Sequence, residues 1–171
     1  MLKRTIHTSD RLGSILHKSD KRAPALMLPI FKSQLFLYRL GLGWMLGRRF
    51  MLLTHIGRRS GRVRRTILAV LRFDPQTKEI MAISAWSASD WYLNIQASPA
   101  LEVETGRTRY VPQQRTLTPE EIATLFDAFR DKHPAFSRIV CQIPGWKWNS
   151  SLEEFLELAR TLRSGAFRPI S

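Results

Sequence analysis

The sequence predicts an α+β fold, an antiparallel β-barrel of about six strands with flanking helices. Three observations lead to this class. Short runs of strand-forming residues follow one another through the centre of the chain, as in a β-meander. Clear helix-start signals come mainly after residue 117. The length of 171 residues and the hydrophobic fraction of 44% suit one domain with a sizeable core. A meander with helices inserted late favours a closed barrel.

The amino-terminal part divides into two segments. Residues 1–22 contain six basic and two acidic residues with little apolar periodicity, so we expect a basic arm. Residues 23–171 form the barrel domain and begin with an amphipathic helix, because residues 26–46 place apolar and aromatic side chains at helical spacing. That helix covers one end of the barrel, or alternatively makes a peripheral contact with a membrane surface.

The strands are predicted from their composition and from the turns between them. They cover residues 51–56, 63–73, 79–85, 101–104 and 108–117, with a closing strand at 166–168. Residues 67–71 are apolar at every position, so both faces of that strand should be covered. One face would line the barrel, and the other would lie under a helix or a second copy in a homodimer.

Three helices are predicted inside the domain. Residues 89–97 read as a short helix between strands. Thr118 is an N-cap, followed by a proline in the first turn and by Glu121 at the capping-box position. Ser150 or Ser151 starts a last helix that runs to about residue 162.

Charge and cysteine content limit the classes of function. The formal net charge of +13 predicts attraction to an anionic ligand, surface or nucleic acid. No nucleic-acid-binding motif accompanies the charge, so a specific nucleic-acid partner is not expected. Cys141 is the single cysteine, which favours a reducing cytoplasm. No paired His/Cys cluster predicts a metal site.

One segment concentrates the positive charge. Residues 58–65, the arginine segment, place five arginines around Ser60 and Gly61, between two strand-like runs. This pattern predicts a hairpin whose turn carries a cationic lip. Guanidinium groups make forked, charge-assisted bonds to phosphate, so the lip suits a phosphate-bearing ligand. A solvated basic turn is the alternative.

Two blocks resemble the deazaflavin-dependent nitroreductase family. Residues 52–66, LLTHIGRRSGRVRRT, are similar to its strand and basic turn, and residues 91–99, WYLNIQASP, are similar to its following helix. A weaker similarity at residues 152–169 extends the resemblance over residues 26–169. The resemblance implies a split β-barrel related to FMN-binding barrels.

The resemblance also implies an activity and a cofactor. An oxidoreductase of the nitroreductase or quinone reductase type would use reduced coenzyme F420, with FMN as the alternative cofactor. Because the deazaflavin ring passes a hydride, the expected substrates are small molecules such as quinones, nitroaromatics or activated alkenes. The alternative function is a binding barrel that carries FMN, haem or a lipid without F420 chemistry.

The basic block supplies most of the predicted cofactor contacts. Arg58, Arg59 and Arg62 would hold the phosphodiester and the acidic glutamate tail, helped by N–H groups around Ser60 and Gly61. Residues adjacent in a strand point to opposite faces, so only one of Arg64 and Arg65 should face the ligand. The family signature includes Thr66 as well.

The ring of the cofactor is assigned to other residues. Trp91 would wall one side of the ring, and Asn94 would bind its carbonyl and N–H edge. Each has an alternative, a core anchor for Trp91 and an internal hydrogen bond for Asn94. The resemblance adds Ser84 at the end of the third strand. Here the chain departs from the family, because a short loop without glycine carries Trp86, which would either stack in the pocket or block it.

Acid–base candidates are few. His55 precedes the arginine segment and is a weak candidate for a proton donor, against the alternative of a buried strand histidine with satisfied nitrogens. No Ser/His/Asp arrangement supports hydrolysis. Hydride transfer depends on positioning and on exclusion of water more than on a strong base, so it remains compatible with this sequence.

Overall fold

A computed structural model describes residues 33, 36–38, 40, 42–84, 89–142, 146–147 and 150–170. In this part of the chain, seven strands form one antiparallel sheet in the order β5-β4-β1-β2-β3-β7-β6. The two edge strands are consecutive in the chain and are separated only by Val111. The sheet therefore curls into a nearly closed barrel, which confirms the predicted fold class with one strand more than expected.

The bounds of the elements follow the sequence closely. The strands are β1 Phe50–Ile56, β2 Val63–Phe73, β3 Ile80–Ser84, β4 Glu102–Thr105, β5 Thr108–Tyr110, β6 Pro112–Arg115 and β7 Arg163–Pro169. The helices are α1 Asp90–Ala97, α2 Pro119–Lys132, α3 Pro134–Gln142 and α4 Leu152–Ala159, with a 3₁₀ helix at Gly43–Leu46.

The predicted strand at residues 108–117 is wrong as a single strand. The chain pairs with β4 up to Tyr110 and with β7 from Pro112 onward, so it changes partner at Val111. Proline lacks the N–H that a continuous ladder needs, which explains a break beside Pro112. Tyr110 supports the seam, because its hydroxyl lies 2.8 Å from the Phe167 carbonyl oxygen, which accepts its hydrogen bond.

The apolar strand β2 is less buried than the sequence predicts. Leu68, Val70 and Leu71 are buried, whereas Ile67 and Ala69 are half-buried. Helix α2 covers the end of β2, where Leu71 joins the core cluster of the helices. That a second copy of the chain covers the half-buried face of β2 in a homodimer stays a prediction. Sedimentation velocity would test it by measuring the oligomeric state.

The described residues form two buried hydrophobic clusters. One lies between the sheet and helices α2, α3 and α4, where the rings of Phe126 and Phe155 stack with centroids 4.1 Å apart. The other fills the barrel and includes Met51, Phe167 and the indole of Trp91. Packing of Trp91 into this second cluster anchors helix α1 beside the β1–β2 hairpin.

The helix starts confirm the capping signals. Thr118 and Glu121 form a complete capping box at α2, and Ser151 and Glu154 form another at α4. Helix α3 was not predicted from the sequence, although proline at its first position is typical of a helix start.

The predicted amphipathic helix at 26–46 falls only partly on described residues. Residues 33 and 36–38 are helical, and the 3₁₀ helix follows. The arm at residues 1–22 lies outside the described residues. Among the helices that the structure describes, none is both long enough and apolar enough to cross a bilayer.

Candidate cofactor-binding site

A cavity of about 810 Å³ opens where the β1–β2 hairpin meets helix α1. Strand β1 and the turn after it, residues 57–62, form one wall, β2 forms a second, and the first half of α1 forms a third. The cavity is lined by His55, Gly57, Arg58, Arg59, Ser60, Val63, Arg64, Arg65, Thr66, Ser89, Asp90, Trp91 and Asn94. The two blocks that carried the family resemblance therefore meet in one site.

Several backbone N–H groups of the turn at residues 57–62 hydrogen-bond within the turn itself. The N–H groups of Ser60 and Gly61 both donate to the carbonyl oxygen of Gly57, at 3.1 and 2.8 Å. The N–H of Gly57 donates in return to the carbonyl of Arg62 at 2.9 Å. The N–H groups of Ser60 and Gly61, which we expected to hold a phosphate, are thus used inside the turn. The guanidinium groups therefore become the main candidates for binding an anion.

Two glycines make this turn feasible. Gly61 has a φ of +63°, a conformation that side chains rarely adopt. At Gly57 a Cβ atom would lie 2.8 Å from the Ser60 hydroxyl and 2.9 Å from Nε of Arg64. The absence of a side chain at Gly57 allows the guanidinium of Arg64 to approach the turn closely.

Arg58 is tied to helix α1 and does not point freely into solvent. Its backbone N–H donates to Oδ1 of Asn94 at 3.0 Å, and its Nη1 donates to the same oxygen at 3.1 Å. Nη1 also pairs with the Asp90 carboxylate at 3.0 Å. Arg58 therefore joins the turn to the helix as well as lining the cavity.

A buried hydrogen-bonded chain continues from Arg58 into the barrel. Nδ2 of Asn94 lies 3.3 Å from Nδ1 of His55, and Nε2 of His55 lies 3.1 Å from the Thr66 hydroxyl. Because Oδ1 of Asn94 accepts from Arg58, its Nδ2 must face His55 and can only donate. Nδ1 of His55 is therefore the unprotonated nitrogen, and Nε2 carries the proton.

His55 is electrically neutral in this arrangement. Only 1% of its surface is exposed, and burial lowers the pKa of the imidazole below its ordinary value of 6.5. The charge of Arg64 adds to the lowering of the pKa, while a backbone hydrogen bond at Ile56 and the charge of Asp90 oppose it. His55 thus matches the expected alternative of a satisfied strand histidine, although it borders the cavity.

Three other arginines give the cavity its charge. Arg59, Arg64 and Arg65 line it, and within the described residues none of them forms an ion pair. Arg64 pairs in register with His55 and so shares its face of the sheet. Arg65 lies on the other face, yet it also borders the cavity, contrary to our expectation that only one of the two could do so.

The remaining predicted residues divide into those at the cavity and those away from it. Trp91 lines the cavity but is 97% buried, and its indole N–H has no hydrogen-bond partner among the described residues. Ser84 does not line it, although its hydroxyl lies 2.5 Å from that of Ser89, which does. Gly61 and Arg62 are also absent from the lining. Trp86 lies outside the described residues.

Sequence reasoning missed four lining residues: Gly57, Val63, Ser89 and Asp90. Of these, Asp90 had a usable signal, since it is the acidic residue in the first turn of a helix beside a segment of five arginines. Within the described residues no group of three or more His, Cys, Asp or Glu side chains could hold a metal ion.

The barrel carries an arginine-lined cavity at the junction of a β-hairpin and a helix, and a cavity of this kind suits an anionic small molecule. The sequence profile of the F420H(2)-dependent quinone reductase family matches residues 37–142, more than half of the chain. The protein belongs to this family, and it is an oxidoreductase by that membership. Coenzyme F420 is the cofactor that membership implies.

Two solved structures were also compared with the chain. One is described as an F420-H2 dependent reductase (FDR-A) and has 17% sequence identity and a TM-score of 0.44 over 71% of this chain and 95% of that one. The other is described as a domain-swapped dimer and has 16% identity and a TM-score of 0.48 over 82% and 99%. No curated protein sequence matches the chain.

The residues of the cavity fit this cofactor in their chemistry. Unpaired guanidinium groups suit its phosphodiester and glutamate carboxylates. The unpartnered, buried indole N–H of Trp91 suits a heterocyclic ring with carbonyl acceptors, and the neutral imidazole of His55 adds no charge beside it. The division of the lining into a charged rim and a neutral inner wall matches a ligand with an anionic tail and an uncharged ring.

Proposed function

We propose that the protein catalyses hydride transfer from reduced F420 to a small electron acceptor, with quinones as the first candidates and nitroaromatics or activated alkenes as the others. The observation that carries the proposal is the cavity lined by Arg59, Arg64 and Arg65 without ion-pair partners among the described residues. Three unpaired cations at one cavity repel one another, and a bound polyanion offsets that cost.

The proposed binding mode assigns separate tasks to the two kinds of wall. Arg59, Arg64 and Arg65 would hold the anionic tail of the cofactor, whose ring supplies a hydride when the cofactor is bound. Trp91 would form an apolar side of the ring site. His55 would keep its proton on Nε2, toward Thr66, and would add no charge to the inner wall.

The choice of quinones as first candidates has two supports. The family is described as quinone reductases. In addition, Val63 is 62% exposed at the cavity, where it offers an apolar contact to a flat hydrocarbon ring. An acceptor that lies against Val63 would need no charged partner, in contrast to the tail of the cofactor.

The proposal also includes peripheral contact with a membrane through residues 26–46. Among the described residues of this segment, Phe36, Leu40, Trp44 and Met45 are each about half exposed or more. The Arg107 guanidinium lies 5.6 Å from the Trp44 ring, so cationic and aromatic groups stand together, as at lipid interfaces. Binding to vesicles of anionic lipid would test this part.

The function is tested with the purified protein and two cofactors. Tryptophan fluorescence is followed while F420 or FMN is added, and oxidation of F420H2 is then measured with a naphthoquinone, a nitroaromatic and an enone. We expect tighter binding of F420 than of FMN, and fastest turnover with the quinone. Tighter binding of FMN would favour the alternative of an FMN-carrying barrel, and binding of F420 without turnover of any acceptor would refute the reductase.

A further inference from the structure

Asn94 connects the turn of residues 57–62 to the interior of the barrel through hydrogen bonds on both sides. The residue is 97% buried, and its amide contacts protein groups on both sides. Oδ1 accepts two hydrogen bonds from Arg58, and Nδ2 donates one to His55. An amide has two acceptor positions and two donor positions, so three of its four are already used.

We infer that Asn94 is a positioning residue that fixes Arg58 at the cavity wall and holds His55 in its Nε2-protonated form. This differs from the direct contact with the cofactor ring that the sequence suggested. The part of the inference that concerns cofactor affinity rests on the proposed function, whereas the parts that concern Arg58 and His55 do not.

The turn depends on Arg58 for its position. Residues 57–62 hydrogen-bond mainly to one another, through the carbonyl of Gly57 and the N–H groups of Ser60 and Gly61. In the described structure, four hydrogen bonds from Arg58 join this turn to helix α1, and the Asn94 side chain accepts two of them. The other two go to Asp90, one to its backbone carbonyl at 3.5 Å and one to its carboxylate, whose side chain is 73% exposed. An exposed ion pair contributes little, so the buried amide is the firmer of the two attachments.

The hydrogen bond between Asn94 and His55 requires a neutral imidazole. Nδ1 must accept from Asn94, so a proton on Nδ1 would set two donors against each other at 3.3 Å. The charged groups that act on His55 are Arg64 from β2 and Asp90 from α1. Burial and the charge of Arg64 disfavour the imidazolium, while Asp90 and a backbone hydrogen bond at Ile56 oppose them, and the pKa of His55 is lowered on balance. The surroundings of His55 therefore favour the neutral imidazole, and this is the form that can accept the hydrogen bond from the Asn94 amide.

Two substitutions separate the two halves of the role. Asn94→Asp keeps an oxygen acceptor for Arg58 but supplies no donor to Nδ1 of His55. Asn94→Leu has a similar volume and removes both the acceptor and the donor. Gln96→Glu is the matched control, because it makes the same amide-to-acid change on an exposed residue of the same helix. If Asn94→Leu does not fold, Asn94→Ser removes the same contacts with a smaller polar side chain.

Two measurements need no cofactor. Nitrogen-15 NMR of the imidazole, assigned with His55→Gln, should show an unprotonated Nδ1 in the wild type and in Gln96→Glu, and a protonated Nδ1 in Asn94→Asp. Hydrogen exchange of the Arg58 backbone N–H should be slow in the wild type and in Asn94→Asp, and should speed up about tenfold or more in Asn94→Leu, since its acceptor is lost. A merely structural role would not move the proton between ring nitrogens.

The third measurement is the dissociation constant for F420. We expect it to rise about tenfold in Asn94→Leu, because Arg58 and the turn lose their preorganised position, and to change little in Gln96→Glu. A protonated Nδ1 in the wild type, or unchanged exchange of the Arg58 N–H in a folded Asn94→Leu protein, would overturn the inference. A wild type that binds no F420 would instead overturn the proposed function, while the NMR and exchange results would still decide the role of Asn94.

Discussion

Arg58 and Arg59 are neighbours with different surroundings, and their alanine variants should separate binding from stability. Arg59 lines the cavity, and its side chain forms no ion pair within the described residues. Arg59→Ala should therefore remove a charge-assisted bond to the cofactor of about 1.5–3 kcal/mol and weaken binding about tenfold to a hundredfold. The melting temperature should barely change, because Arg59 forms no ion pair among the described residues and its removal relieves like-charge repulsion.

Arg58→Ala should affect both properties. The variant loses an exposed ion pair with Asp90 worth about 0.2–1 kcal/mol. It also loses the Nη1 bond to Asn94, worth about 0.5–1.5 kcal/mol. The backbone N–H of Arg58 still satisfies Asn94, which limits the cost. We expect a destabilisation of about 1–2 kcal/mol, seen as a melting temperature several degrees lower, together with weaker cofactor binding.

The control is Arg62→Ala, because Arg62 is an exposed arginine of the same turn that does not line the cavity. Fluorescence titration with F420 and thermal melts would be run on all three variants at two salt concentrations. Equal weakening of binding by Arg59→Ala and Arg62→Ala would show that only the overall charge matters. Unchanged affinity in Arg59→Ala would refute the placement of the anionic tail at this side chain.

Two further predictions concern pH and lipid. Burial holds the pKa of His55 below 6.5, so the contribution of His55 to the free energy of unfolding should be fully present above pH 6.5. As the pH falls below that value, the free energy of unfolding should decline by up to about 1.4 kcal/mol per pH unit. Urea titrations should show this decline for the wild type and not for His55→Gln. The double change of Trp44→Ser and Met45→Ser should reduce co-sedimentation with anionic vesicles severalfold, while Leu152→Ser, which alters a comparably exposed apolar residue of α4, should not. Vesicle binding that is equal in all three proteins would rule out contact through this segment.

Local signals predicted the fold well wherever they were strong. The bounds of β2 and the capping box of Thr118 and Glu121 were found as predicted. Local signals failed where the partner of a segment changes. A strand over residues 108–117 is reasonable from composition, but pairing with β4 before Val111 and with β7 after it depends on the closure of the barrel. Only the proline at position 112 marks the change in the sequence.

The sequence predicted many of the residues that line the candidate site, but it did not predict the hydrogen bonds between them. The resemblance brought the arginine segment and helix α1 to one site, but it could not show that Asn94 faces Arg58 and His55, which are 36 and 39 residues away in sequence. Likewise, the Ser-Gly turn suggested free N–H groups, whereas the fold of the turn uses them on the carbonyl of Gly57. Hydrogen bonds between distant residues leave no periodic trace in a sequence.

The arrangement of the arginines explains why so many fit in one short segment. A turn that had to satisfy its backbone with an anion would lose its shape without one. Here the glycines at 57 and 61 let the backbone close on itself, and Asn94 holds the turn against the barrel through Arg58. The turn thus satisfies its backbone with protein groups alone, and Arg59, Arg64 and Arg65 form no ion pair within the described structure. Because little of the binding free energy is then needed to order the site, most of it can appear as affinity for an anionic cofactor.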